Sequence, residues 1–259
     1  MTGHITGRNL VASYPAPGGG ILPALGPVSF DVAPGEFVCL LGPSGCGKST
    51  LIRILGGLQL PSQGQAFLDG SLITQPSPQV ALMFQESNLM PWRTVLQNIA
   101  LPLELKGVEK VERMEAARHL LPGLGLGAEF ADAYPGELSG GMAQRVALGR
   151  VLIQRPEVLL LDEPFGALDA LTREQITLDL MQVWAAEQQT VIMVTHNINE
   201  AILLADRILV FSQRPGRIIA NIPVTLPRPR RIDDSYSDAF GQVAQQVRAA
   251  VRQAHPVMG

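Results

Sequence analysis

The sequence predicts an α/β protein whose core is a parallel β-sheet covered by helices. Several short segments are continuously apolar, as expected for strands that are buried on both faces of such a sheet. One of them runs directly into a glycine-rich loop, which is followed by residues with helical spacing. Helical spacing also dominates a long stretch in the middle of the chain. The predicted core strands are 37–41, 80–84, 158–161, 191–194 and 208–211.

Two elements are predicted beside this core near the start of the chain. Residues 5–38 alternate between apolar and polar and carry turn signals at 15–20, which predicts a small antiparallel sheet flanking the core. Residues 49–58 follow the glycine-rich loop with the spacing of a helix that packs on a sheet. The apolar positions of this helix are Leu51, Ile52, Leu55 and Leu58.

The stretch 93–155 predicts a helical insertion between two strands of the core. Its apolar residues recur at helical spacing, and Gly and Pro residues punctuate it. Glu109 and Arg113 form a pair at i,i+4 that supports a helix over the same residues. The apolar positions are Val108, Val111, Met114 and Leu121.

The end of the chain predicts a separate helical tail over 233–259. Residues beyond Pro223 are rich in proline and arginine, and a helix with one apolar face follows. We therefore expect one α/β domain over 5–232, in which 5–92 and 156–232 form the core with its flank. The apolar face of the tail consists of Phe240, Val243, Val247 and Val251.

Composition excludes several classes of protein. A net charge of −3 argues against a nucleic-acid binder that works through bulk charge. The two cysteines, Cys39 and Cys46, provide no disulfide framework and fit a reducing cytosol. Residues 1–14 lack the pattern of a signal peptide, and no apolar run is long enough to span a bilayer. We therefore expect a chain without a membrane-spanning segment of its own.

One segment is strongly basic. Residues 207–231 contain six arginines and no acidic residue. Such a cluster can bind nucleic acid or anionic lipid, but the prolines within it discourage a basic helix. The expectation for this arginine-rich segment is a solvated face of the protein.

Residues 42–49 match the pattern G-x-x-x-x-G-K-[ST] of a phosphate-binding loop. They lie between a predicted strand and a predicted helix, which is the context that this motif requires. Glycines let backbone N–H groups close around phosphate oxygens, and the helix turns its positive end toward the same anion. Lys48 is expected to neutralise the β- and γ-phosphates, and the Ser49 hydroxyl is expected to ligate Mg²⁺. The alternative is a chance glycine-rich turn.

An acidic pair ends one of the predicted strands. Asp162 and Glu163 follow the apolar run 158–161, at the carboxyl end of a strand, where ligands of α/β proteins bind. Asp162 is expected to hold Mg²⁺, and Glu163 is the candidate general base for an attacking water. Two solvated acids after a strand would be the alternative.

A third motif lies between the other two. Residues 138–142 read Leu-Ser-Gly-Gly-Met and precede a predicted helix over 142–154, which Ser139 would cap. With the phosphate loop and the acidic pair, this string resembles the signature of the ATP-binding cassette (ABC) family. The resemblance covers about residues 5–250. It implies a P-loop NTPase (RecA-like) parallel-sheet core with an antiparallel β flank and a helical insertion. Met142 stands where the commonest family pattern has glutamine.

The resemblance implies that the chain binds ATP and Mg²⁺ and hydrolyses the nucleotide. Glu163 matches the general base of the family, and His196 matches a histidine that contacts the γ-phosphate. Gln85 matches the residue that senses Mg²⁺ and water. The implied Mg²⁺ ligands are Ser49, Gln85 and Asp162.

The resemblance also implies contacts to nucleotide on two sides. Tyr14 matches an aromatic that stacks on adenine. Residues 139–141 match the signature that binds the γ-phosphate held by a second subunit, and 167–169 match a loop that crosses the dimer interface. The implied nucleotide-binding residues are Tyr14, Gly42, Pro43, Ser44, Gly45, Cys46, Gly47, Lys48, Ser49, Thr50, Ser139, Gly140, Gly141 and Asp169.

Finer similarities favour one importer group. The strings at 84–92, 163–174 and 214–217 resemble those of the ATP-binding subunits of nitrate, sulfonate and taurine importers. This implies a homodimer, or a pair with a close homologue, that closes head to tail around two ATP molecules. It implies membrane permease subunits as partners and, indirectly, a solute-binding protein, with no nucleic acid. The expected location is the cytoplasmic face of the bacterial inner membrane, as a peripheral subunit.

Two other function classes stay open at the level of the sequence. A soluble ABC ATPase that acts in macromolecular repair or assembly would carry the same motifs, and co-purification with a membrane protein would distinguish it. A nucleotide-dependent regulator or a P-loop kinase would turn over as a monomer with an acceptor other than water. That third class leaves the string at 138–142 unexplained.

Overall fold

The predicted α/β architecture is confirmed by a computed structural model, which describes residues 2–16, 18–166 and 168–254. Ten strands form two sheets, and seven α-helices surround them within these ranges. The strands are β1 (Ile5–Pro15), β2 (Ile21–Val32), β3 (Phe37–Leu41), β4 (Gln63–Leu68), β5 (Ser71–Leu72), β6 (Val80–Met83), β7 (Val158–Asp162), β8 (Thr190–Val194), β9 (Arg207–Phe211) and β10 (Ile218–Pro223). The helices are α1 (Lys48–Leu55), α2 (Val95–Leu105), α3 (Lys110–Leu120), α4 (Gly140–Leu152), α5 (Ala170–Glu187), α6 (Ile198–Leu204) and α7 (Asp238–Ala254).

The central sheet has six strands in the order β10-β9-β3-β8-β7-β6. All neighbours from β9 to β6 run parallel, and β10 is added antiparallel at one edge. The five predicted core strands therefore lie side by side in one sheet. Because they are parallel, their carboxyl ends meet at one edge, where the loops that follow β3, β6, β7 and β8 are gathered.

The central sheet separates two hydrophobic cores, because successive side chains of a strand point to opposite faces. In β3, Phe37, Cys39 and Leu41 face the core that is shared with most of the helices. Val38 and Leu40 face the other core, which is shared with α1 and the antiparallel sheet. All five β3 residues are buried, which explains why the strand is continuously apolar in sequence.

The antiparallel flank is larger than the sequence predicted. Its four strands have the order β2-β1-β4-β5, and β1 is one of the two interior strands, so that Ile5 pairs with Val32 on one side and Leu68 on the other. The strands β1 and β2 come from the predicted region 5–38. The strands β4 and β5 were not predicted, because 63–72 contains few apolar residues and lacks a clean alternation.

Every described α-helix or 3₁₀ turn between β6 and β7 belongs to the predicted insertion. One expected helix-stabilising pair in it is wrong. Glu109 lies just before α3 as its N-terminal flanking residue, and Arg113 instead forms an ion pair with Glu104 of α2 at 3.3 Å. The apolar spacing of α3 does not mark a buried face throughout either, since Val111 is 80% exposed.

The expectation that the arginine-rich segment is a solvated face is wrong for three of its six arginines: Arg214, Arg217 and Arg231 are exposed, whereas Arg207, Arg228 and Arg230 are partly or fully buried. The Arg207 guanidinium pairs with Glu36 at 2.8 Å, and that of Arg228 pairs with Asp206 at 2.7 Å while it lies 4.0 Å from the ring centroid of Trp184. Arg230 is only 4% exposed. Desolvation by burial, assisted by the neighbouring Arg228, lowers the pKa of Arg230 to about 10. Of these side chains, Arg228 and Arg230 tie the chain after β10 to the core.

The buried guanidinium of Arg230 is stabilised by hydrogen bonds to the backbone. Its guanidinium donates to carbonyl groups at the end of α6 and in the segment after β10, so this buried cation is solvated by peptide oxygens. The accepting carbonyls belong to Ile202, Leu203, Ala205, Val224 and Leu226.

The described part of the predicted tail consists of a 3₁₀ turn over Ile232–Tyr236 and the helix α7, and residues 255–259 lie outside the described residues. Phe240, Val243 and Val247 are buried in the same core as β9, whereas Val251 is half-buried. The division of the chain into a domain 5–232 and a tail 233–259 stays a prediction. Within the described ranges, no helix combines the length and the apolar character that crossing a bilayer requires.

A short segment, 212–217, holds the flank and the glycine-rich loop together. Gly216 forms a parallel bridge with Leu25 of β2, donating to the Ala24 carbonyl and accepting from the Gly26 N–H. On its other side, a Cβ at Gly216 would collide with the carbonyl oxygen of Cys46. The close approach of three backbone segments therefore requires glycine at this position.

We predict that Gly216→Ala lowers the free energy of unfolding by about 1–3 kcal/mol, because the added methyl group forces the loop and β2 apart. Urea denaturation of the full chain measures this change. Gly136→Ala is the matched control, since a Cβ at Gly136 meets open space, and its stability should stay near that of the wild type. Equal stability of both variants would contradict the packing of 212–217 on the glycine-rich loop.

Candidate functional site

The glycine-rich loop joins the carboxyl end of β3 to the amino end of α1. Gly47 precedes α1 with φ 98°, and a Cβ there would lie 2.7 Å from the Ala24 carbonyl oxygen, so only glycine fits. No side chain caps the start of α1. Its first N–H groups are therefore left for a ligand, and the partial positive charge of the helix end favours an anion there.

Lys48 is a buried cation at the first position of α1. Its ammonium donates to the carbonyls of Gly42 and Pro43, each at 2.8 Å, and lies 3.6 Å from the Cys46 sulfur. Among the described residues, no carboxylate forms an ion pair with it. Burying an unpaired charge is costly, so this arrangement favours a bound anion as the missing partner.

Ser49 and Asp162 place two oxygen donors side by side. The Ser49 hydroxyl donates to the Asp162 carboxylate at 2.9 Å, which connects α1 to the end of β7. Burial raises the pKa of Asp162, and the hydrogen bond from Ser49 offsets part of this rise. A hydroxyl and a carboxylate are ligands that Mg²⁺ accepts in proteins, so this pair fits a hard divalent cation beside phosphate groups.

The three predicted catalytic side chains come together around Glu163. Its carboxylate lies 3.5 Å from the Gln85 amide nitrogen and 3.5 Å from Nδ1 of His196. The Glu163 backbone has φ 47°, a left-handed conformation that is uncommon for a residue with a side chain, and its N–H donates to the Val194 carbonyl. A partly exposed carboxylate held in this way can accept a proton from water.

A cavity of about 420 Å³ lies over the glycine-rich loop. It contains predicted residues from the flank, the loop and the ends of β6 and β7. Ala24 and Arg214 also line it and were not predicted as site residues. The lining residues are Tyr14, Ala24, Ser44, Gly45, Gly47, Lys48, Ser49, Thr50, Gln85, Glu163 and Arg214.

Arg214 reaches the cavity through the segment 212–217. Its Nε donates to the Pro23 carbonyl of β2 at 2.8 Å. Arg214 is therefore held next to β2, the strand that pairs with β1 near Tyr14. The string at 214–217 resembles the importer group in sequence. Because it lies far along the chain from the phosphate loop, the sequence did not predict that both line one cavity. A cation here adds to the positive charge of the site.

Tyr14 lies at the flank side of the cavity, as expected. Its hydroxyl is within 2.9 Å of both the Thr50 hydroxyl and the Gln59 amide oxygen, so the phenol is fixed against α1 and the turn after it. Stacking of the ring on a base stays a prediction. Of the other loop residues, Gly42, Pro43 and Cys46 do not line the cavity, and the first two accept from Lys48 instead.

The remaining predicted residues form a second, separate surface. Ser139 is exposed and caps α4 by accepting from the Met142 N–H at 3.2 Å. Asp169 caps α5 by accepting from the Thr172 N–H at 3.0 Å, and hydrogen bonds from Thr172 lower the pKa of this carboxyl. A Cβ at Gly141 would lie 2.6 Å from the Thr172 side chain, so the starts of both helices touch.

None of Ser139, Gly140, Gly141 and Asp169 lines the cavity of its own chain. Ala167, which belongs to the predicted interface loop, lies outside the described residues. One chain thus carries two separate surfaces: a cationic cavity and an exposed helix start with free N–H groups.

Comparison with known proteins assigns this arrangement to a family. The family model described as ABC transporter matches residues 25–166. A putative ATP-binding protein of Brucella abortus is 44% identical over 99% of this chain and 96% of its own length. The nitrate import ATP-binding protein NrtC of Synechococcus elongatus is 47% identical over 84% of this chain, but this covers only 33% of NrtC. The bicarbonate transport ATP-binding protein CmpC of the same organism is 45% identical over 89% of this chain and 35% of its own length.

Solved structures agree with the sequence relatives. The dimeric structure of MJ0796, a bacterial ABC transporter cassette, superposes with a TM-score of 0.78 at 34% identity, covering 86% of this chain and all of that one. A dimer of the same cassette in a post-hydrolysis state, bound to ADP and Pi, has the same TM-score at 32% identity. The order of strands and motifs, the matched family model and these relatives lead to one conclusion. The chain belongs to the ABC transporter family, as an ATP-hydrolysing cassette.

Proposed function

We propose that this cassette is the ATP-hydrolysing subunit of an importer for a small anionic or zwitterionic solute. The observation that carries the proposal is the similarity, at 45–47% identity over more than four fifths of this chain, to ATP-binding proteins named for nitrate import and bicarbonate transport. Nitrate, sulfonate or taurine is the solute type that the strings at 84–92 and 214–217 favour. The transmembrane path would be provided by separate permease subunits, and the cassette would bind them as a peripheral subunit at the cytoplasmic face of the bacterial inner membrane.

The alternative is a soluble ABC ATPase of macromolecular repair or assembly. Both functions share the chemistry of the cavity, so the site does not separate them. The two functions differ in whether the cassette has a membrane partner. An importer would also work with a solute-binding protein that delivers the solute to the permease.

The cavity supports the following roles in hydrolysis. ATP phosphates would occupy the space over the glycine-rich loop, paired to Lys48 and to the free N–H groups of α1. Glu163 would take a proton from the water that attacks the γ-phosphorus, and the bond from phosphorus to the β-phosphate oxygen would break to leave ADP. Gln85 and His196 would orient the water and the γ-phosphate. Ser49, Asp162 and Gln85 would hold Mg²⁺, which supplies charge neutralisation for the phosphates.

A complete site needs a second chain. The exposed start of α4, with Ser139, Gly140 and Gly141, has the free N–H groups that suit a phosphate, yet it lies outside the cavity of its own chain. In a head-to-tail dimer, these groups and Asp169 of one copy would close over the cavity of the other. The dimeric state of the MJ0796 cassette supports such pairing.

The segment 85–92 is the proposed contact with the permease. It is held on α4, because the Gln144 amide donates to the Gln85 carbonyl at 2.8 Å and the Arg150 guanidinium donates to the carbonyls of Ser87 and Asn88. Trp92 ends this segment, and its side chain is 70% exposed. An exposed aromatic at the end of a segment whose backbone is held in this way is typical of an interface anchor.

The first prediction concerns the proposed base. Glu163→Gln should retain ATP affinity and slow hydrolysis by at least about 100-fold, because the amide cannot accept the proton of the attacking water. Single-turnover hydrolysis and equilibrium binding of ATP measure the two effects. Lys48→Ala is the contrasting variant, in which affinity itself should fall. Near-normal turnover of Glu163→Gln would remove Glu163 from the role of base.

The second prediction concerns the composite site. Lys48→Ala destroys the cavity side of a site and Ser139→Arg destroys the signature side, so each variant alone should be inactive. An equimolar mixture should regain activity from about one quarter of its sites, since each mixed dimer joins the two intact halves. Steady-state ATPase of the mixture measures this. A mixture of Lys48→Ala with Glu163→Gln is the control and should stay inactive, because both changes damage the same half. Full activity of Ser139→Arg alone would rule out the composite site.

The third prediction concerns the partner and tests the importer itself. Trp92→Ala should weaken association with the permease by about 2 kcal/mol or more, as truncation of buried interface aromatics does. Co-purification from membranes of cells that also express the permease measures this, and ATP affinity of the cassette should stay unchanged. Tyr236→Ala, at a residue that is 85% exposed elsewhere, is the control. If the wild type associates with no membrane protein, the soluble ATPase becomes the better function.

A further inference from the structure

One buried acid has no place in the roles described so far. Glu200 lies in the first turn of α6 and is only 5% exposed, although its side chain is ionisable. Burial raises the pKa of this carboxyl, and Arg173 and His196 oppose the rise, whereas Glu163 adds to it. A buried carboxyl of this kind is costly unless it is hydrogen-bonded, so its contacts indicate what it is used for.

The first contact of Glu200 is to the residue before His196. The Thr195 hydroxyl, which is buried, donates to Oε2 of Glu200. The same hydroxyl accepts from the Asn197 N–H at 3.0 Å. Thr195 and Asn197 are the two neighbours of His196 in the chain, so a single hydroxyl, oriented by Glu200, fixes the backbone on both sides of His196.

A second set of contacts holds the other end of this turn. The Asn197 side chain accepts from the N–H groups of Asn199 and Glu200, at 3.0 and 3.2 Å, and thereby caps α6. Glu200 is thus anchored to the same turn through its backbone and through its carboxylate. The imidazole of His196 is left as the exposed group of the turn, 3.5 Å from Glu163.

The other oxygen of Glu200, Oε1, is buried and has no hydrogen-bond partner within the described part of the chain. Glu200 lines a void of about 10 Å³ together with Glu163 and His196. Arg173 lines it too, and its guanidinium donates to the carbonyls of Phe165 and Leu168. Glu200 therefore adjoins, across this void, both the turn that carries His196 and the loop that follows Glu163.

We propose that Glu200 is a positioning residue for hydrolysis: it holds His196 against Glu163 through the Thr195 hydroxyl and touches neither nucleotide nor water. The inference rests on the proposed roles of His196 and Glu163. It requires a hydrogen-bond acceptor at position 200 and a hydroxyl at position 195. It does not require the negative charge of the carboxylate.

The test compares pairs of variants of the full chain, with ATP affinity and turnover measured for each. Glu200→Ala and Thr195→Val remove the hydrogen bond, and each should lower kcat roughly 10- to 100-fold through misplacement of His196, with ATP affinity within about twofold of the wild type. Glu200→Gln and Thr195→Ser keep an acceptor and a hydroxyl and should retain most of the activity. Asn199→Ala, at an exposed neighbour on the same helix, is the control and should behave as the wild type.

A double variant separates positioning from a general loss of structure. If Glu200 acts through His196, then Glu200→Ala should add no further loss of kcat to His196→Ala. Additive losses, or a Glu200→Gln variant as slow as Glu200→Ala, would overturn the proposal. If Glu200→Ala fails to fold, the Thr195→Val and Thr195→Ser pair carries the same comparison. Normal turnover of Glu200→Ala beside an impaired His196→Ala overturns this inference alone, whereas normal turnover of His196→Ala overturns the proposed role of His196 as well.

Discussion

The parallel pairing of β3, β8 and β7 is the constraint on which the site depends. Val194 at the end of β8 pairs with Asp162 at the end of β7, and its carbonyl accepts from the Glu163 N–H. The Thr195 N–H donates in turn to the Leu40 carbonyl of β3. These bonds put the phosphate loop, the acidic pair and the turn of His196 at one edge of one sheet. The side chains that are far apart in sequence meet because the strands that carry them are in register.

The second constraint is the junction of the flank with this edge. The cavity forms between the central sheet and the antiparallel sheet, and neither supplies all its walls. Gly47 fits under the Ala24 carbonyl, and Gly216 fits between β2 and the Cys46 carbonyl, so the flank approaches the phosphate loop backbone to backbone. Tyr14 and Arg214 enter the cavity as a consequence of that approach. The packing of the flank thus supplies part of the wall of the cavity.

Side-chain hydrogen bonds connect the helical insertion to the same edge of the central sheet. Gln144 of α4 donates to the Gln85 carbonyl, while the Gln85 side chain lies near Glu163. The start of α4 is also the exposed surface with Ser139. One helix therefore meets the cavity of its own chain near Gln85 and presents the proposed phosphate contact for another chain. In the proposed dimer, α4 would therefore connect the phosphate contact at Ser139 with the segment that carries Trp92.

The sequence by itself determined the core strands, the phosphate loop, the acidic pair and the family, because each depends on local spacing and on burial within one segment. The tertiary structure decided what depends on contacts between different elements, whether these lie far apart in sequence or only a few residues from each other. It brought Arg214 into the cavity, paired Arg113 with Glu104 instead of Glu109, and buried Arg230 among backbone carbonyls where a solvated arginine was expected. It also placed Glu200 beside the turn that carries His196, because the hydrogen bond between Thr195 and Glu200 joins the end of β8 to α6. No periodicity in the chain encodes such a bond, because its geometry is fixed only when the strand and the helix pack.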